Sequence, residues 1–211
     1  MTFEVFKIVV GPLEENCYVL KDKATSKGVI VDAGDDGYKI ISCIEKEGIE
    51  PVALINTHGH WDHIGAVDEL RDKYSIPLYI HSEDNEMLIE GRSNLSLFMG
   101  IDGKRRAAEH LLTHGDIIEF GESKLQTIAT PGHTRGGVCF YDGKDALFSG
   151  DTLFAGSVGR TDFPGGSSSV LLDSILNGLK EVEDEAVVYP GHNENTTMGF
   201  ERQHNPYLNQ W

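Results

Sequence analysis

Short apolar runs separated by polar, glycine-containing turns make up most of the chain. The opening stretch Phe3–Val10 (FEVFKIVV) sets apolar and polar residues side by side with the near two-residue period of a strand. Further strand candidates rich in valine, isoleucine and aromatics are Asn16–Asp22, Lys27–Gly34, Val52–Thr57, Pro77–His81, Lys124–Thr130, Gly136–Asp142, Asp145–Asp151 and Ala186–His192. Helical spacing of apolar residues appears in Gly37–Glu47 (Ile40, Ile41, Ile44), Trp61–Lys73 (Ile64, Val67, Leu70) and Ser167–Leu179 (Leu171, Leu172, Ile175, Leu176, Leu179). Ser82–Ile89 opens with Ser82 as an N-cap and with Glu83 and Asp84 in the first turn, and Thr196–Gln203 predicts a last short helix. Strands come first, then alternating helices and strands, then strands again, then helix and strand. That order predicts an α/β sandwich, two mixed sheets packed together with helices outside. Residues 91–115 break the rhythm and are expected to form a surface excursion or lid.

Composition narrows the function. The 211 residues suit one domain. Eighteen Lys and Arg against 34 Asp and Glu leave a formal net charge of −16, which argues against a nucleic-acid partner because phosphate binding needs a basic face. The N-terminal MTFEVFKIVV has no basic segment followed by an apolar one, and no apolar run approaches a membrane span, so neither a secretory signal nor a membrane anchor is expected. Cys17, Cys43 and Cys139 are odd in number and far apart. They are expected to be buried, unpaired thiols in a cytoplasmic protein.

The candidate chemistry is concentrated in a few places. His58, His60, Asp62 and His63 fall within six residues, directly after an apolar strand. His133, Asp151 and His192 each follow another apolar strand and sit beside glycine, which lets the backbone approach closely. Loops at one edge of a sheet sandwich can converge all seven side chains. A helix-cap cluster would explain His58–His63 otherwise, but it would bury three unpaired imidazoles. Imidazole nitrogens and carboxylate oxygens suit zinc, iron or manganese, and seven donors exceed one tetrahedral ion. Two ions about 3.5 Å apart sharing a carboxylate are the expected arrangement. His81, His110, His114 and His204 lack this context and are expected to be structural or exposed.

The run Thr57–His63 (THGHWDH) resembles the HxHxDH signature of the metallo-β-lactamase superfamily. Val31–Gly34 (VDAG), Thr130–Gly137 (TPGHTRGG), Ser149–Phe154 (SGDTLF) and Tyr189–His192 (YPGH) match the family's other motifs in order, across nearly the whole chain. Within the superfamily the chain looks most like the glyoxalase II (hydroxyacylglutathione hydrolase) branch. Gly159–Ser167 (GRTDFPGGS) and Thr196–Pro206 (TTMGFERQHNP) resemble a short, single-domain group of that branch.

The resemblance implies an αββα sandwich holding two divalent metal ions, zinc with iron or manganese as alternatives. His58, His60 and His133 would hold the first ion, Asp62, His63 and His192 the second, and Asp151 would bridge them. Asp32 would support the ligands by hydrogen bonds, and Arg160 would anchor substrate unless it simply pairs with Asp162. The implied reaction is attack by a metal-bridging hydroxide on a thioester such as S-lactoylglutathione, with Asp62 and Asp151 as the catalytic carboxylates and no serine or cysteine nucleophile. The family's C-terminal helical domain, which supplies glutathione contacts, is expected to be missing, since the sequence stops at Trp211, soon after His192. A mononuclear iron persulfide dioxygenase is the competing resemblance, because it shares the HxHxDH run and GRTDF. A lactonase or β-lactamase of the same fold is a third reading.

Overall fold

The structure, a computed structural model, describes residues 1–208. Its first sheet has six strands in sequential order: β1 (Phe3–Val10), β2 (Glu15–Asp22), β3 (Lys27–Val31), β4 (Glu50–Ile55), β5 (Leu78–His81) and β6 (His110–Leu112). β1, β2 and β3 pair antiparallel, and β3 to β6 run parallel. The second sheet is built from β7 (Ile117–Phe120), β8 (Ser123–Ala129), β9 (Val138–Tyr141) and β10 (Ala146–Gly150). A two-stranded hairpin, β11 (Leu153–Phe154) and β12 (Ser157–Val158), follows, and β13 (Val187–Pro190) and β14 (Thr196–Thr197) complete that second sheet. Its order is β14-β13-β10-β9-β8-β7, and β10 and β13 are parallel. Each sheet is thus a continuous half of the chain.

Helices cover the outer faces: α1 (Gly37–Glu47), α2 (Trp61–Ile64), α3 (Val67–Tyr74) and α4 (Asn85–Ile89) on the first half, α5 (Ser168–Asp173) and α6 (Met198–His204) on the second. Three apolar clusters fill the spaces between layers. Ile40 and Ile44 of α1 and Val67 and Leu70 of α3 pack on Val19, Ile30 and Leu54 of the first sheet. Tyr18, Leu20, Val29 and Ile55 meet Phe120, Leu125, Phe140 and Phe148 between the sheets. Leu171 and Ile175 pack on Cys139, Leu147 and Val188 of the second sheet. In β2 the residues pointing one way, Cys17 and Val19, enter the first cluster, and Tyr18 and Leu20 enter the second, so the strand is apolar on both faces. No helix among the described residues is long and apolar enough to cross a membrane.

The expected two mixed sheets flanked by helices are found, but several element boundaries move. The single helix expected over Trp61–Lys73 breaks into α2 and α3, because the Ala66 N–H leaves helical pairing to reach the Ala33 carbonyl at 2.9 Å. Ser82 is not an N-cap. A 3₁₀ turn occupies Ser82–Asp84, with His81 Nδ1 accepting the Glu83 N–H at 3.3 Å, and α4 starts only at Asn85. The helix expected over Ser167–Leu179 widens into a π turn at Ser174–Gly178, where Ser174 Oγ donates to the Pro131 carbonyl at 2.7 Å. The last helix begins at Met198, since Thr196 and Thr197 pair with β13. Residues 91–115 are not excursion throughout: after a 3₁₀ turn at Ser96–Met99 the chain supplies β6, the edge strand of the first sheet. Of the cysteines, Cys17 and Cys139 are buried but Cys43 on α1 is only half-buried, and all are free thiols.

Candidate metal centre

β8, β10 and β13 run in the same direction, so their C-terminal ends share one edge of the second sheet. β4 of the first sheet ends beside them. The loops after these four strands carry His58, His133, Asp151 and His192, as the apolar-strand-then-glycine pattern predicts. α2 starts immediately after His60 and presents Asp62 and His63 to the same point. All seven predicted side chains meet there.

They form two overlapping trios. His58, His60 and His133 make one, Asp62, His63 and His192 the other, and the donor atoms of each trio lie within 4.8 Å of one another. Asp151 stands between them. Its Oδ1 is 3.4 Å from His63 Nε2 and 3.7 Å from His192 Nε2, while its Oδ2 is 3.5 Å from His133 Nε2. Asp62 Oδ2 is 3.4 Å from His192 Nε2, and His60 Nδ1 is 2.9 Å from His133 Nε2. Donors bound at 2.0–2.1 Å around a tetrahedral ion stand about 3.3 Å apart, so these spacings are those of a coordination shell.

The hydrogen bonds behind the imidazoles settle which nitrogen faces inward. Thr57 Oγ1 donates to Asp32 Oδ2 at 2.6 Å and can therefore accept from His58 Nδ1 at 3.1 Å. His63 Nδ1 pairs with Asp32 Oδ2 at 3.1 Å, His133 Nδ1 donates to the Arg160 carbonyl at 2.7 Å, and His192 Nδ1 donates to the Leu13 carbonyl at 3.1 Å. Each of these four rings thus turns its Nε2 toward the others, with Nδ1 held by an outer partner. His58 Nε2, His63 Nε2 and Asp151 Oδ1 are buried without any hydrogen-bond partner. Orphaned donors of this kind aimed at one point fit a divalent cation.

Electrostatics agree. Burial, reinforced by the neighbouring imidazoles, holds the His58 pKa well below its ordinary value, and burial with His133 beside it pulls His60 down to about 3, so both rings are neutral. Burial opposes ionisation of Asp62 and Asp151, but the His63 charge outweighs it, and both stay below the usual carboxylate range. Burial also disfavours the His63 imidazolium, yet Asp151, Asp62 and Asp32 reverse this and hold its pKa well above the ordinary value. In the metal-free chain a proton on His63 thus takes the place of a cation.

Asp32 lies directly behind the histidines. Besides His63 and Thr57 Oγ1, it accepts the Thr57 N–H at 2.7 Å and Asn56 Nδ2 at 3.3 Å, from a left-handed backbone position (φ 51°). Arg160 lies at the mouth of the site, but its guanidinium is already held by Asp162, with Nε and Nη2 each 2.8 Å from a carboxylate oxygen, and it lies 3.9 Å from the centre of the Phe163 ring. The remaining histidines have local tasks: His110 stacks on Tyr79, His204 on Phe200, and His114 Nδ1 accepts the Ala129 N–H.

Two acidic residues escaped the sequence. Glu15 is fully buried behind His63, 3.8 Å from its Nδ1, with both oxygens unpartnered and its pKa raised well above the ordinary value by burial. Asp84, which read as a first-turn helix residue, is buried and accepts from the Gly59 N–H, the Thr134 hydroxyl and the Gly136 N–H. A cavity of about 790 Å³ opens over the centre, walled by Trp61, Leu95, Phe98, Met99, Phe154 and Phe163 among others.

A family model described as the Metallo-beta-lactamase superfamily matches residues 10–192. The Bacillus subtilis (strain 168) protein named "Probable metallo-hydrolase YqgX" is 38% identical over 205 residues, covering 96% of each chain. The Haemophilus influenzae (strain ATCC 51907 / DSM 11121 / KW20 / Rd) "Hydroxyacylglutathione hydrolase GloC" is 30% identical over 212 residues, again covering 96% of each. Among solved structures, BLEG-1 B3 metallo-beta-lactamase superposes with a TM-score of 0.93 at 38% identity, covering 98% of this chain and all of that one. TTHA1623 in a di-iron-bound form gives 0.84 at 36% identity, covering 97% and 100%.

Proposed function

The chain belongs to the metallo-beta-lactamase superfamily, and from that premise we propose that it is a binuclear metal-dependent hydrolase that cleaves a thioester. One observation carries the reading: the two oxygens of Asp151 face different trios, Oδ1 toward His63 and His192 and Oδ2 toward His133. Two ions, one at each trio, would engage both oxygens. A di-iron relative and a hydroxyacylglutathione hydrolase among the similar proteins support two ions and a thioester.

In this reading His58, His60 and His133 hold one ion, Asp62, His63 and His192 the other, and Asp151 is shared. Bound divalent ions supply a water nucleophile active near neutral pH and a Lewis acid for the developing oxyanion. The chain supplies the rest. Asp62, kept ionised, orients the attacking water through its second oxygen. Asp32 and Thr57 fix the ring positions of His58 and His63, and the Arg160 carbonyl fixes His133. The apolar cavity wall keeps bulk water from the acyl carbon.

Elemental analysis of protein purified without chelator, followed by assay on S-lactoylglutathione and simpler acyl thioesters, tests the proposal. Two ions per chain with thioester turnover are expected. One iron per chain with oxygen uptake on a persulfide identifies the dioxygenase instead, and turnover of a chromogenic cephalosporin in place of thioesters identifies a β-lactamase.

A further inference from the structure

The wall of the cavity speaks to the substrate. Its charged groups are Asp62 and Asp151, which belong to the trios, and Arg160, the one cation among the described residues that line it. Arg160 is already engaged by both oxygens of Asp162 and by the Phe163 ring. A glutathione moiety brings two carboxylates and one ammonium, and against them this wall sets a single arginine that is already paired. A hydrocarbon chain needs none and gains by leaving water.

The segment Leu95–Ile101 sharpens the point. Leu97, Phe98 and Met99 are 59%, 69% and 55% exposed in a row, and Phe98 and Met99 face the cavity. Consecutive exposed apolar side chains beside a cavity, unlike scattered single ones, mark a contact site. The patch is not on a loose loop. The Trp61 N–H donates to the Asn94 carbonyl at 3.0 Å, and Asn94 Nδ2 donates to the Met87 and Gly103 carbonyls at 2.8 and 2.9 Å. Arg105 Nε reaches the Ile64 and Gly65 carbonyls, both at 3.1 Å. Both ends of the segment are therefore tied to α2, the helix that carries Asp62 and His63, and the apolar tip stands at a fixed place relative to the centre.

We propose that the substrate is recognised through an uncharged, apolar acyl chain laid against Phe98 and Met99, and not through the carboxylates of a glutathione carrier. This rests on the thioester reading above. Cellular thiol carriers are polar or charged, so the hydrocarbon of a thioester lies on its acyl side, and that side is what an apolar wall beside the centre accepts.

The test uses metal-loaded protein with N-acetylcysteamine thioesters from acetyl to octanoyl, and with S-lactoylglutathione. Alongside, calorimetry follows binding of the uncleavable thioethers S-methyl- and S-octyl-N-acetylcysteamine. kcat/KM should rise about fourfold per methylene, and the octyl thioether should bind at least about a hundredfold more tightly than the methyl one. Phe98→Ser, at an exposed position, should flatten both trends while metal content stays the same. Rates that ignore chain length, or a preference for S-lactoylglutathione, overturn the inference and leave the hydrolase standing. Tight octyl binding without cleavage of any thioester overturns the hydrolase and leaves the apolar wall. Absence of octyl binding overturns the inference whatever the turnover.

Discussion

Asp84 Oδ1 accepts the backbone N–H of Gly136 at 2.7 Å, a bond between residues 52 apart in sequence. Its other oxygen takes the Gly59 N–H at 3.1 Å and the Thr134 hydroxyl at 2.7 Å. Gly59 lies between His58 and His60, and Thr134 follows His133. One buried carboxylate therefore pins both loops that carry the first trio.

Asp84→Ala should orphan two buried N–H groups, each worth about 1–3 kcal/mol of stability, and let the loops drift apart. Affinity for the ion held by the first trio should fall about 10- to 100-fold, the loss typical of outer partners of ligands. Competition with a chromophoric chelator measures it. Unchanged affinity would show that the loops hold themselves.

His60→Ala and Asp151→Ala should both abolish thioester turnover. The ion content should drop from two per chain toward one. The metal-free fold should change by less than about 1 kcal/mol for His60→Ala, and should lose more for Asp151→Ala, because Asp151 offsets the charge of the buried His63. Elemental analysis with urea unfolding reads both quantities. Normal hydrolysis by Asp151→Ala would remove it from the bridging position.

Gly191 has no positive φ, so its constraint is space alone. A Cβ there would stand 2.5 Å from Asp151 Oδ1 and 2.7 Å from His63 Cε1. Gly191→Ala should push Asp151 off the second trio and weaken the ion there by about 10- to 100-fold, with the first ion less affected. Stepwise metal titration distinguishes the two sites.

The pH dependences of stability and of metal binding should have opposite signs. Burial raises Glu15, and the surrounding carboxylates raise His63 against the pull of its burial, while His58 and His60 are held low and are already neutral on folding, so above the ordinary imidazole range the metal-free native state binds more protons than the unfolded chain. Stability from such groups is complete below their unfolded pKa values and is lost as pH rises through the folded ones. Asp62 and Asp151 are depressed, and their contribution is already complete above the carboxylate range. Chelator-stripped protein should therefore unfold at lower urea at pH 8 than at pH 6, and Glu15→Gln should reduce the difference. Metal affinity should move the other way, gaining about tenfold per pH unit for each proton the ligands must release. Equal urea midpoints at the two pH values would remove the raised groups from the account.

Much of this candidate centre was legible because its side chains are scarce residue types placed directly after strong strand signals. His58, His133, Asp151 and His192 each end an apolar run, and position in a parallel arrangement of strands does the rest. Asp84 and Glu15 were hidden for the opposite reason. An acidic residue after Ser82, or in the turn-like run LEEN, looks like solvated surface, and only tertiary packing turns it inward. The missed strands β6, β7, β11, β12 and β14 are two to four residues long, too short for a period to show. The break between α2 and α3 comes from a bond to Ala33, which no local pattern records.

Each sheet is one uninterrupted half of the chain, and each trio draws on both halves: His58 and His60 with His133, Asp62 and His63 with His192. Neither half alone completes either of these two trios, although the first half holds His58, His60, Asp62 and His63. The two complete trios therefore form late in the life of the nascent chain, after the second half has left the ribosome and docked. The same division makes the protein a natural split reporter. Two fragments cut between β6 and β7 should each bind a divalent ion weakly at most and bind it tightly only when they meet.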